Sequence, residues 1–134
     1  MDKMTVLNEI SVIVNMNDKF KYIIDLAKSA DGLDESEKIH KYRIRGCNSK
    51  LWLVPKFENG IVEFRVDGDA MIPKGIGTIM ALACSGMTPD EIMGKDPIFL
   101  AKYGITYHLT ASRRNVLSGL YKQMKYYASA YKRM

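Results

Sequence analysis

Within its 134 residues the chain has only two cysteines, Cys47 and Cys84. They are too few and too far apart for a disulfide framework, and no Cys-x-x-Cys pair is present. Both are expected to be thiols in a reducing compartment. Histidine is as scarce: His40 and His108 stand alone, and with two cysteines they do not supply four zinc ligands at a recognisable spacing, so no metal site is expected. No apolar run approaches the length needed to span a bilayer, and the N-terminus lacks a charged leader followed by an unbroken apolar stretch, so a cytoplasmic location without membrane contact is expected. Internal repeats, low-complexity tracts and linkers are missing, which makes residues 1–134 a single domain. Acidic side chains end at Asp96, whereas Lys102, Arg113, Arg114, Lys122, Lys125, Lys132 and Arg133 follow it. That end should attract an acidic partner.

What is present is an ordinary apolar content, 47%, enough for one core, arranged in two periods. Phe20, Ile23, Ile24 and Ala27 repeat at helical spacing, with Asn17 or Asp18 placed to cap the start, and Val6, Leu7, Ile10 and Val14 suggest a shorter helix before them. Ala30-Asp31-Gly32 is a stop signal. The pattern then alternates over Tyr42–Arg45, Lys50–Phe57 and Ile61–Val66, predicting strands, with Val62, Phe64 and Val66 on one face and an Asn59-Gly60 hairpin turn between the last two. Helical spacing returns with Ile72, Ile76, Ile79, Met80 and Ala83, with Asp69 as candidate N-cap, Pro73 in the first turn and Gly86 at the end. Thr88-Pro89-Asp90-Glu91 is a capping box, and Asp96-Pro97 repeats the logic for a short helix closed by Gly104. A last helix after Thr110 carries Val116, Leu117, Leu120, Met124 and Tyr127 on one face. The order implies an α+β fold, a small antiparallel sheet of about three strands packed against N- and C-terminal helices.

The chemistry concentrates in Arg45-Gly46-Cys47-Asn48-Ser49-Lys50, a thiol at a tight connection between two predicted strands. Gly46 admits a positive φ, and Asn48 and Ser49 hydrogen-bond locally to hold the loop. Arg45 and Lys50 add positive charge on either side, which favours the anionic sulfur that acts as a nucleophile. The plainer reading is that Cys47 fills a small apolar space at a strand end. Cys84 shares a helix face with Ile76, Ile79, Met80 and Ala83 and reads as a packed core thiol. Lys74-Gly75-Ile76-Gly77-Thr78 lacks the order of a phosphate loop, so its glycines read as close-packing positions.

The segment Gly46-Cys47-Asn48-Ser49-Lys50-Leu51-Trp52 resembles the Gly-Cys-x-Ser-x-(apolar)-Trp signature of the SufE family, sulfur acceptors that work with SufS-type cysteine desulfurases. Asp67-Gly68-Asp69-Ala70 with Lys74-Gly75 resembles that family's start of the following helix. Gly86-Met87-Thr88-Pro89 resembles its short capped helix, and His108-Leu109-Thr110-Ala111-Ser112-Arg113 the entry to its final helix. Two positions depart from the pattern: Ala111 stands where Pro is usual, and Val116 where Gly is common, which bears on how closely the last helix approaches the cysteine loop.

The resemblance implies a SufE/IscU-like fold and a persulfide carried on Cys47. The chain would then accept sulfur from a SufS-type desulfurase, activate that enzyme rather than act alone, and pass sulfur to a SufB-type scaffold. It implies no cofactor on this chain, since pyridoxal phosphate belongs to the desulfurase. It also places Gly46, Asn48, Ser49, Asp69 and Arg113 at the loop and partner surface. Two other readings compete. Tyr121, Tyr126, Tyr127 and Tyr131 beside Lys122, Lys125, Lys132 and Arg133 would suit a basic nucleic-acid-binding module. A scaffold of the IscU kind needs three closely placed cysteines, and this chain has one available.

Overall fold

The structure, a computed structural model, describes residues 2–95 and 111–134, with side chains in the second stretch from Arg114 onward. Two N-terminal helices, α1 (Lys3–Val12) and α2 (Met16–Ser29), lead through short 3-10 turns at Glu35–Glu37 and His40–Tyr42 into a hairpin of β1 (Leu51–Glu58) and β2 (Ile61–Gly68). Among the described residues the helices that follow are α3 (Met71–Cys84), α4 (Pro89–Met93) and α5 (Ala111–Lys132). The fold is α+β.

Asn59 and Gly60 both take positive φ, 54° and 80°. A two-residue hairpin turn of this hand matches the twist of its flanking strands, and it fixes the register that pairs Glu58 with Ile61 and Leu51 with Gly68. Alternation then decides the faces: Val62, Phe64 and Val66 are buried while Glu63 and Arg65 are exposed. Against the buried face lies α3, whose residues Gly75 to Met80 are all buried. It packs on β2, α2 and α5. Lacking side chains, Gly75 and Gly77 permit this: a Cβ on Gly75 would stand 2.4 Å from Ile23, and one on Gly77 2.9 Å from Val66. On α5, Val116, Leu117, Leu120, Met124 and Tyr127 all face the core, as their spacing predicts.

Several expectations are corrected. Among the described residues the sheet has two strands, not three. Tyr42–Arg45 supplies a single bridge, Arg43 to Trp52, with the Ile44 amide donating to the Leu51 carbonyl at 2.7 Å. The chain there has just left a 3-10 turn and enters the cysteine loop, so extended pairing lasts one residue. Helix α2 is capped by Asn15, whose side chain accepts from the Asn17 and Asp18 amides, so those two residues fall inside the helix. Val14 lies beyond the end of α1 and is exposed. Helix α3 is preceded by Ala70 in the N-cap position, with no side-chain cap, and ends at Cys84 before Gly86 turns the chain. The Thr88 capping box forms with Glu91. The helix expected after Asp96, closing at Gly104, lies outside the described residues.

Candidate functional site

Cys47 sits in the turn between the Arg43–Trp52 bridge and the start of β1. The turn is held at its entry by the Ile44–Leu51 hydrogen bond. At its exit, Asp69 and Lys50 exchange two bonds: the Lys50 amide donates to Asp69 Oδ1 at 3.0 Å, and the Asp69 amide donates to the Lys50 carbonyl at 3.1 Å. Asp69 therefore ties the cysteine loop to the start of α3 instead of capping that helix. Between the anchors, Gly46 has φ of 80° and would leave a Cβ in open space, so backbone conformation alone favours glycine there.

The Cys47 side chain is half-buried. Its Sγ lies 3.4 Å from Ser49 Oγ, a sulfur–hydroxyl contact in which either group can donate. Together with Asn48 and Ser49 it borders a pocket of about 460 Å³ whose other wall is Ala70, Met71, Ile72 and Pro73 of the α3 entry and Val116 of α5. That wall is apolar. A sulfur carried on Cys47 would meet hydrocarbon on one side and the Ser49 hydroxyl on the other. The loop's opposite flank is polar: Cys47 and Gly46 also border a cleft of about 270 Å³ with His40, Arg43, Ile44 and Arg45. Thus Gly46, Asn48 and Ser49 share the turn with the thiol, and Asp69 is tied to the exit of that turn through Lys50. The Arg113 side chain lies outside the described residues.

Cys84 is different in kind. It is 2% exposed, and burial pushes its thiol up to about 11, with Lys3 and Lys95 pulling weakly the other way. It is a core residue, as its helical face predicts.

Sequence reasoning missed the pocket wall. Ile72 and Pro73 are legible as the start of a helix, but nothing in their spacing says they turn toward Cys47. It also missed Gly119, where a Cβ would stand 2.9 Å from Ile44 Cγ2 and 3.1 Å from the Arg45 carbonyl. Helix α5 thus crosses the loop entry at Gly119, while Val116, one turn earlier, lines the pocket.

Of the four tyrosines on α5, Tyr121 and Tyr127 are buried, Tyr131 stacks on Phe57 with ring centroids 4.7 Å apart, and Tyr126 is 63% exposed. Most of the stripe serves the core. Among the described residues no group of three or more His, Cys, Asp or Glu side chains is placed to hold a metal ion, and no helix is long and apolar enough to cross a membrane.

A solved structure described as the solution structure of a hypothetical protein from Thermus thermophilus matches over 98% of this chain and 96% of that one. Its TM-score is 0.77 at 13% sequence identity, which establishes a shared fold. The family model described as SufE, Fe-S metabolism associated domain, matches residues 4–128. With nearly the whole chain matched and the cysteine loop in place, the protein belongs to the SufE family and is associated with iron–sulfur metabolism.

Proposed function

We propose that the protein accepts sulfur on Cys47 from a SufS-type cysteine desulfurase, stimulates that enzyme by drawing sulfur off it, and relays the sulfur to a SufB-type scaffold. The observation that carries this reading is the half-buried Cys47 at a glycine-bent turn, with an apolar wall on one side and Ser49 on the other. The Cys47 thiolate attacks the terminal sulfur of the enzyme's cysteine persulfide. A Cys47 Sγ–S bond forms, the enzyme's S–S bond breaks, and its electron pair leaves on the enzyme cysteine as thiolate. One sulfane sulfur moves and no outside oxidant or reductant is needed. Pyridoxal phosphate stays on the desulfurase.

The apolar wall suits the product, because a persulfide kept from water and oxidants persists until a second acceptor arrives. Gly46 is the hinge about which the turn would swing on docking. Ser49 would hold the sulfur by its hydroxyl, Asn48 would face the partner from the exposed side of the loop, and Arg113 at the entry of α5 would meet a partner carboxylate. Two free thiols fit residence in the reducing cytoplasm.

The test is incubation with a SufS-type desulfurase and free cysteine, followed by mass measurement of the Cys47 peptide without reductant. One added sulfur is expected, and none in Cys47→Ser. An unmodified Cys47 peptide under turnover conditions removes the reading.

A further inference from the structure

Arg45 borders three adjoining depressions, and one of them is not needed to shelter sulfur. It is a groove of about 390 Å³ walled by His40, Lys41, Arg43 and Arg45 on the loop side and by Gln123, Tyr126 and Tyr127 of α5. The four basic groups are unbalanced. Among the described residues no carboxylate forms an ion pair with His40, Lys41, Arg43 or Arg45. Helix α5 brings none either, since the sequence has no acidic residue after Asp96. At the groove wall the Tyr127 hydroxyl is buried and makes no hydrogen bond of good geometry, with the Gln123 side chain beside it. A ligand oxygen reaching this hydroxyl would give it a hydrogen-bond acceptor.

We infer that this groove is a docking site for a carboxylate-bearing segment of the desulfurase that delivers sulfur to Cys47, a partner identified on the reading proposed above. His40, Arg43 and Arg45 also border the cleft that reaches Cys47, so a segment seated on them lies next to the thiol. Carboxylates suit it: guanidinium groups bind them with two parallel hydrogen bonds, and a tyrosine hydroxyl adds a neutral donor. Single-stranded nucleic acid is the weaker fit. It needs successive exposed rings on which bases stack, and here Tyr126 is exposed while Tyr127, set edge-on to it, is buried.

The test compares wild type, the Lys41→Glu/Arg43→Glu double variant and Tyr127→Phe, each first checked for an unaltered melting transition. Persulfide formation at Cys47 is followed against chain concentration with a SufS-type desulfurase. The half-saturating concentration should rise about tenfold in the double variant and about threefold in Tyr127→Phe, a larger change than any in the plateau rate. Added salt should weaken wild type more than the double variant. Unchanged half-saturation in the folded double variant overturns the site while leaving sulfur transfer standing. In a second arm, hexaglutamate and a single-stranded RNA are titrated separately into wild type and followed by NMR. Saturable hexaglutamate shifts at Lys41, Arg43 and Tyr127, lost in the double variant, support the site even if wild type takes up no sulfur. Shifts with RNA alone, or none with either, overturn it.

Discussion

Asp69 and Lys50 clasp the exit of the cysteine loop through two hydrogen bonds, one from each backbone amide, and only one of them depends on a side chain. The carboxylate can therefore be removed without breaking the backbone bond. Asp69→Ala should cost about 1 kcal/mol or less, because water can satisfy the exposed Lys50 amide. It should also raise the rate at which iodoacetamide alkylates Cys47 severalfold, while Asp69→Asn, which keeps an acceptor oxygen, should stay near wild type. Equal alkylation rates in all three proteins would show that the carboxylate does not restrain the loop.

Gly119 presses α5 against Ile44 and the Arg45 carbonyl. In an unobstructed helix Gly→Ala stabilises by about 1 kcal/mol, but here the methyl group must displace Ile44 or the loop entry, at a cost of about 1–3 kcal/mol. Gly119→Ala is therefore expected to leave the urea midpoint unchanged or lower it, and to slow sulfur uptake at Cys47. A midpoint raised by the full helix-propensity gain, with uptake intact, would mean that the helix and loop have room to spare.

How much of this was legible follows from which forces act locally. The Asn59-Gly60 turn, the alternation Val62-Phe64-Val66, the Thr88–Glu91 capping box and the α5 core face depend on neighbours within a few residues, and all are found. Asp69 looked like a helix cap because Asp before a helix usually is one. Its actual partner, Lys50, is distant in sequence and is set by how the hairpin lies on α3. Tyr42–Arg45 has the composition of a strand, but only Arg43 finds a bridging partner there, because the preceding 3-10 turn and the cysteine loop consume the remaining residues. Cys47 and its immediate loop neighbours were readable as a nucleophile candidate. The wall from Ala70 to Pro73 and the crossing at Gly119 are products of tertiary packing.

Asp67 gives the fold a dependence on acid. Its carboxylate is buried, accepts from the Leu33 amide at 2.9 Å and the Gly68 amide at 2.8 Å, and pairs with Lys74 and Lys38 at 3.4 and 3.5 Å. Burial works against the charged form, but the two amides and two ammonium groups together outweigh it and hold the carboxyl below its usual range. A depressed carboxyl contributes stability that is present above the unfolded value, about 3.9, and lost as pH falls through the folded one. Asp67→Asn should therefore cost about 2–3 kcal/mol at pH 7, with the gap to wild type closing below about pH 4. A gap that stays constant between pH 7 and pH 3 would assign the effect to packing instead of charge.

The two thiols should separate cleanly in reactivity. Burial raises Cys84 to about 11, so at pH 8 in the native protein its thiolate is scarce and enclosed, and iodoacetamide should label Cys47 alone; Cys84 should react once urea unfolds the chain. The same shift acts on stability with a definite sign. A thiol whose folded value lies above its ordinary 9.0 contributes stability that is complete below that value and lost as pH rises through about 11. Cys84→Ala removes this contribution, so the urea midpoint of wild type should fall more steeply than that of the variant between pH 9 and pH 11. Parallel slopes, or labelling of native Cys84 at a rate like that of Cys47, would mean that the thiol is reached by solvent and would reopen it as a second sulfur carrier.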